Sequence, residues 1–394
     1  MSTHHEQEHP SAEHDSRHEV IWSVLERHEK QYADLYTDPT LRRLIIESAR
    51  DRNIDLPDDS FQTQQSFLIA ARMTLDVRNG GSARRDIRQA QLGPDALSDL
   101  ATMREQQEMD KDTEPKRTHY DIAIVPANYG ENTEARYEKL ESHMHNADHP
   151  VSIDTIVVPA SYRKAHTTPD QYGYTEPERA GEIAYSLVKD QDGNLVQGSP
   201  AKTEFDFAVN VIEHHDRIPE GEMTRMFSTD RRVPEPHHFQ ARGEIAYNVG
   251  DDGVLRMALS SPMVSDKRYY ERPGQVDVRR ARPNTNDNMI MVMDMLWDVI
   301  DENTKKPTVL LVTESIYRFQ QVIAESMLAR KGIRVESIYV SPKTADLPEY
   351  SDSAYGQEIL SLLIQLDQSI TELQQELNIS TRAQGHTALE AASR

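Results

Sequence analysis

The sequence predicts an α/β protein with an open, mainly parallel sheet, preceded by a helical amino-terminal unit and interrupted by a β-hairpin-containing insertion. Three observations carry this expectation. The runs Ile122-Ala123-Ile124-Val125, Ile153 to Val158 and Val309-Leu310-Leu311-Val312 are short, largely apolar and rich in β-branched residues, as buried parallel strands are. Helical patterns separate these runs, and alternation of strand and helix implies parallel pairing. Before Tyr120 the apolar residues recur at helical spacing instead.

Composition narrows the class. A chain of 394 residues with 37% hydrophobic side chains can build two or three compact units. Its formal charge of -22 repels phosphate backbones and anionic lipid heads, so nucleic acid and membrane surfaces are not expected partners. With no cysteine there are no disulfides and no thiolate chemistry, which suits a reducing cytoplasm. No secretory signal opens the chain, and no segment approaches the roughly 18 apolar residues of a membrane span. The expectation is a soluble, cytoplasmic protein.

Residues 1–17 hold few large apolar side chains and read as a disordered tail. The helical unit spans 18–108: Val20, Val24, Leu25, Tyr32 and Leu35 lie on one stripe, and Leu41, Leu44 and Ile45 follow a Pro39 suited to a first turn. Breaks fall at Asp55-Leu56-Pro57-Asp58, Asn79-Gly80-Gly81 and Gly93-Pro94. The charged residues that follow make 109–119 a linker. From 120 to 345 runs the α/β domain, opening with strand, helix (Glu134 to Met144) and strand.

Those two strands end alike, in Val125-Pro126-Ala127-Asn128-Tyr129 and Val158-Pro159-Ala160-Ser161-Tyr162. Proline cannot donate to a ladder, so each strand is expected to stop there and release its polar residues onto one rim. Chance likeness of two short strings is the plainer account. A second echo, Gly181 to Tyr185 and Gly243 to Tyr247, precedes the turn signals Asp192-Gly193-Asn194 and Asp251-Asp252-Gly253. Two hairpins are expected there, inside an insertion at 164–280 that forms a lid or small subdomain.

Met289 to Ile300 reads as a helix buried against the sheet, Arg318 to Arg330 as a second, and Ile333 to Val340 as a further strand. In 346–380, Ile359, Leu363, Leu366, Ile370, Leu373 and Leu377 form a heptad stripe, which would either zip two subunits into a homodimer or pack on the chain's own sheet. Residues 381–394 read as a flexible tail.

A parallel sheet binds ligands beyond the carboxyl ends of its strands, so the polar residues at those ends are the candidate site. Asn284, Thr285 and Asn288 precede a helix, where amides and free backbone N–H groups hold anions; the same residues also suit a helix cap. Thr313, Glu314 and Ser315 follow the next strand. Glu314 is the candidate catalytic residue, as general base or ribose-binding carboxylate, against the alternative of a solvated loop acid. Arg136 and Arg163 can reach a carboxylate or phosphate, or can neutralise neighbouring acids. Spaced-glycine and Walker strings are absent, as are the His-Glu-x-x-His zinc pattern and the Gly-x-Ser-x-Gly elbow. His143, His145 and His149, with two adjacent histidine pairs, do not amount to a metal site, and none is expected.

Asn284-Thr285-x-Asp287-Asn288, before a helix and a strand ending in Val312-Thr313, resembles the YdcF, SanA and ElyC family. That family carries Asn-Thr-x-Glu-Asn, then a strand ending Val-Thr-Ser with a nearby His and Arg. The likeness covers 120–162 and 282–340, about a quarter of the chain. This chain is a divergent member by that measure: Pro126 and Pro159 stand where the family has glycine-rich or Ser-Gly ends, Tyr317 falls on the histidine and Gln320 on the arginine, with Arg318 in reach of the latter's role. The resemblance implies a Rossmann-like open sheet and a nucleotide-derived ligand, S-adenosylmethionine having been linked to the family. Two functions follow as expectations. One is a small-molecule-binding protein or enzyme whose ligand lies across Asn128, Tyr129, Arg136, Ser161, Arg163, Asn284, Thr285, Asn288, Thr313, Glu314, Ser315, Tyr317 and Arg318. The other is a noncatalytic assembly module with a degenerate site.

Overall fold

In the computed structural model the described residues are 12–76, 92–127, 130–161, 184–189, 195–201, 204–227, 231–232, 240–241, 244–261, 271–272, 275–276, 289, 292, 306–341 and 352–392. Four helices come first: α1 (Ala12–Thr37), α2 (Pro39–Asp51), α3 (Gln64–Leu75) and α4 (Pro94–Gln106). Local chemistry explains their starts. The Asp38 carboxylate accepts from the Thr40 and Leu41 N–H groups, and Pro39 and Pro94 occupy first-turn positions that need no donor. Thr63 and Ser66 close a reciprocal box on α3. Helix α1 starts inside the stretch expected to be a tail.

The remaining elements are β1 (His119–Ile124), α5 (Gly130–Met144), β2 (Ser152–Ser161), β3 (Ala184–Lys189), β4 (Leu195–Ala201), α6 (Glu204–His215), β5 (Thr224–Phe227), β6 (Arg231–Arg232), β7 (Gln240–Ala241), β8 (Glu244–Val249), β9 (Leu255–Ser261), β10 (Glu271–Arg272), β11 (Gln275–Val276), β12 (Val309–Glu314), α7 (Arg318–Ala329), β13 (Val335–Val340) and α8 (Asp352–Ala392). Seven strands make the main sheet, ordered β13-β12-β1-β2-β9-β8-β5. The first five run parallel; β8 and β5 are antiparallel additions. This is a mixed, mostly parallel α/β sheet.

Helices cover both faces. Tyr137 and Leu140 of α5 and Phe205 and Ile212 of α6 bury Ala123, Ile156, Val158, Leu310 and Val312. On the other face Ile323, Ala324 and Leu328 of α7, with the helical Met289 and Val292, bury Ile122, Ile124, Val157 and Leu311. The all-buried pattern of β12 follows from this double cover, each of its Val and Leu side chains contributing roughly 1.5–3 kcal/mol of transfer free energy. The rest of the helix expected from Met289 to Ile300 lies outside the described residues.

Four features depart from expectation. Both echoes do form hairpins, β3-β4 and β8-β9, but only β3-β4 stands apart as its own sheet. The second hairpin joins the main sheet, because β9 pairs in parallel with β2 from Thr155↔Leu255 to Ser161↔Ser261. Within the stretch 164–280, β5, β8 and β9 are therefore part of the main sheet.

Pro159 does not end β2 either. Its carbonyl accepts from the Ala127 N–H at 2.8 Å, on the side where β1 is finishing, so its missing donor falls where little ladder remains. Pro126 and Pro159 thus stand side by side, since Ile124 pairs with Val157 and the Val125 N–H bonds the Val157 carbonyl.

The expected linker is pinned along β13: Thr113 and Tyr339 exchange bonds, the Ser341 N–H reaches Asp112, and Tyr355 donates to Asp110. Finally, the heptad stripe lies within the chain's own core. Ile359, Leu363 and Leu366 pack with Leu41, Leu44, Phe67 and Leu100, while Leu373 and Leu377 pack with Ile21 and Leu25 of α1. Helix α8 continues to Ala392, past the end of that stripe. Among the described residues no helix is long and apolar enough to cross a membrane.

Candidate functional site

Strands β1 and β12 are parallel neighbours whose chains leave in opposite directions. From β1 the chain passes through α5 to β2 on one side, and from β12 through α7 to β13 on the other. Helices α5 and α7 lie on opposite faces, so the two carboxyl ends part at a switch point of the kind where open α/β sheets hold ligands.

Arg136 and Glu314 meet at that switch point. Arg136 rides on α5 between the buried Ala135 and Tyr137, and Glu314 is the last residue of β12. Their side chains are 0% and 1% exposed, and Nη2 donates to Oε1 at 2.9 Å. The other guanidinium nitrogen, Nη1, donates to the Pro126 carbonyl just beyond β1, and the guanidinium carbon lies 5.6 Å from the Tyr317 ring centroid. One cation therefore ties together the ends of both strands. Glu314 is not a solvated loop acid; α5 supplies its counter-ion.

The neighbouring candidates serve the same packing. Thr313 donates to the Gln320 Oε1, and Ser315 donates to the Met109 carbonyl; both residues are fully buried. Ile316 and Tyr317 enter the core of the helical unit beside Val322 and Tyr355. Arg318 turns away, donating to the Glu108 carbonyl at 3.1 Å and stacking 4.4 Å over the Tyr339 ring. Burial pushes the Tyr339 phenol upward from its ordinary pKa. The backbone of Ser161 pairs with Ser261 on the β2-β9 part of the rim. Asn128, Tyr129, Arg163, Asn284, Thr285 and Asn288 lie outside the described residues.

Two groupings escaped the sequence. Ser260 and Ser261 end β9 beside Ser161, and only the assignment of their hairpin to an insertion hid them. His28 lies between Ser369 (2.8 Å from Nδ1) and Glu325 (2.9 Å from Nε2), a serine-histidine-glutamate chain joining α1, α8 and α7. All three are buried, so the chain is built to clamp helices rather than to meet a substrate. No spacing in the sequence signals it.

The histidines at 143–149 do not converge. His143 is buried 3.2 Å from Glu114, its pKa lowered first by burial, whereas His145 and His149 are exposed. Comparison with family models, curated proteins and solved structures gives no match for the chain. Its likeness to the YdcF, SanA and ElyC family rests on the residues quoted above.

Proposed function

We propose that this chain is a Rossmann-like small-molecule-binding protein of the cytoplasm. Its ligand is polar or nucleotide-derived, of the S-adenosylmethionine kind by the resemblance, and sits at the carboxyl edge of the sheet, beside the point where β1 and β12 part. The observation that carries the reading is the meeting of Arg136 and Glu314, 178 residues apart, at the point where the sheet's winding reverses. The Asn284-Thr285-x-Asp287-Asn288 string lies outside the described residues and enters this reading through the resemblance alone, as a source of polar groups for the ligand. Since β12's end is buried, a ligand would be taken from the β1-β2-β9 part of the rim. The paired Arg136 and Glu314 carry no net charge, and the chain is strongly acidic, so a zwitterionic or cationic ligand is favoured over a triphosphate.

A thermal-shift screen tests this. S-adenosylmethionine or a related adenosine compound is expected to raise Tm, to do so more than ATP, and to lose its effect in Asn288→Ala. Equal stabilisation of wild type and Asn288→Ala overturns the assigned loop.

A second reading, a noncatalytic assembly module, is favoured by a specific observation. Thr313, Glu314, Ser315 and Tyr317 are all buried, bonded to or packed against the helical unit, α5 and α7. On that reading the residues that chemistry would need now hold the architecture, and no adenosine compound, sugar nucleotide or divalent metal stabilises the protein through the rim.

A further inference from the structure

We propose a divalent-cation site of the zinc class between α5 and α6, formed by Glu134, Glu138 and His215 and backed by Glu141. One donor atom from each of Glu134, Glu138 and His215 lies within 4.8 Å of the other two. The helical period explains the convergence. Glu134, Glu138 and Glu141 fall at i, i+4 and i+7, one stripe of α5, and His215 is the last residue of α6, which packs beside it on the same face of the sheet. This stripe is distinct from the one that carries Arg136 inward to Glu314.

The imidazole is prepared as a ligand. Its Nδ1 lies 2.8 Å from the Glu141 carboxylate, the partner that orients metal-bound histidines and leaves Nε2 as the bare acceptor. Nε2 is shielded from water and has no hydrogen-bond partner, yet it stands 3.8 Å from the Glu134 Oε1. A buried ring nitrogen left without a partner carries a desolvation cost that a cation would remove. Two donors about 2.0–2.2 Å from one tetrahedral ion lie roughly 3.4 Å apart; the 3.8 Å between His215 and Glu134 is close to that, and Glu138, within 4.8 Å of both, has to move in further.

Chemistry selects the metal. One imidazole and two carboxylates suit zinc, cobalt, nickel or iron better than the all-oxygen preferences of magnesium and calcium. Glu134 is 42% exposed, so the cluster is reached from solvent, and the two carboxylates offset the ion's charge. Three protein donors leave room for water, and the bound ion would clamp α5, and with it Arg136, against α6.

The full-length protein, stripped with chelator, is titrated with zinc and with cobalt, with magnesium and calcium as controls. Binding to residues equally available in the unfolded chain does not stabilise the fold, so Tm separates this site from other histidines. Zinc is expected to raise Tm by a few degrees at a hundredfold excess over Kd, and His215→Ala and Glu134→Gln are expected to abolish the rise and one equivalent of bound zinc. Glu141→Ala is expected to weaken binding tenfold or more. Glu134→Gln keeps the test valid should His215→Ala not fold. Unchanged zinc stoichiometry in both variants overturns the site. So does a Tm rise that magnesium reproduces and that survives either substitution, and so does a His215→Ala effect on Tm that is the same with and without zinc, which marks an ion-paired imidazolium instead.

Discussion

Breaking the Arg136–Glu314 pair from one side should cost far more than removing it whole. Both groups are essentially inaccessible and 2.9 Å apart. Glu314→Leu leaves a guanidinium in the core with the Pro126 carbonyl as its named acceptor. Loss of one partner of a buried pair typically costs about 3–5 kcal/mol, because the surviving charge remains desolvated. Replacing both groups, in Arg136→Met/Glu314→Leu, removes the desolvation along with the attraction and is expected to cost little. Urea unfolding followed by circular dichroism reads the difference. With an m value of about 3 kcal/mol per molar, the single variant's midpoint falls by about 1–1.7 M while the double variant stays within about 0.5 M of wild type. A single-variant shift below about 0.3 M refutes the reasoning, since that is the behaviour of a pair already in water.

Three further outcomes follow from other parts of the core. Leu366→Ala, at a fully buried site, is expected to lose about 2–5 kcal/mol in the same assay, with no change in sedimentation; a loss that grows on dilution would restore the subunit zipper. Ser369→Ala removes the partner of the His28 Nδ1 and should cost about 1–3 kcal/mol, read as a drop in urea midpoint, whereas an unchanged midpoint would mean the helix clamp is idle. Hydrogen bonds from Arg256, the largest cause, hold Asp252 down at about 2 against an ordinary value of 3.8. A depressed carboxyl stabilises the fold above its unfolded pKa and loses that contribution as pH falls through the folded one. The Tm gap between wild type and Asp252→Asn should therefore stay constant from pH 7 to about 4 and narrow below; a gap that narrows near pH 6 contradicts the assignment.

The elements that the sequence showed plainly are those whose pattern is local. β1, α5, β2, β12, α7 and β13 lie where period and flanking residues put them, and parallel pairing followed from their alternation. The antiparallel pairing of β3 with β4 and of β8 with β9 was legible for the same reason, the turn at Asp251-Asp252-Gly253 included, while Asp192-Gly193-Asn194 lies outside the described residues. What stayed hidden was allegiance. Nothing in Leu255 to Ser261 says that this strand pairs with β2 rather than with a lid, because an apolar strand suits any sheet that covers it. Likewise Leu363 and Leu366 fit a heptad seam and a private core equally well, and the choice was made by α2, α3 and α4, far away in sequence.

The site was obscured by the same problem in sharper form. Arginine and glutamate at strand ends are what a ligand pocket requires, and also what a buried clamp requires; residue type cannot separate them. The deciding variable is water, and water is excluded from Glu314 by packing that involves Met109, Ile316 and Tyr317 as well as α5. The residues after Glu314, Ser315 to Tyr317, are held by a helical unit whose sequence carries only its own amphipathic stripe. A guanidinium that already has a carboxylate and a carbonyl offers a new anion no unspent charge, so any ligand at this edge must either displace Glu314, at the cost of a buried carboxylate, or bind through the loops and leave the pair intact. The second route costs less. It places recognition on the neighbouring loops and on the β1-β2-β9 rim, and makes the ion pair a buried support for that edge rather than a contact to the ligand.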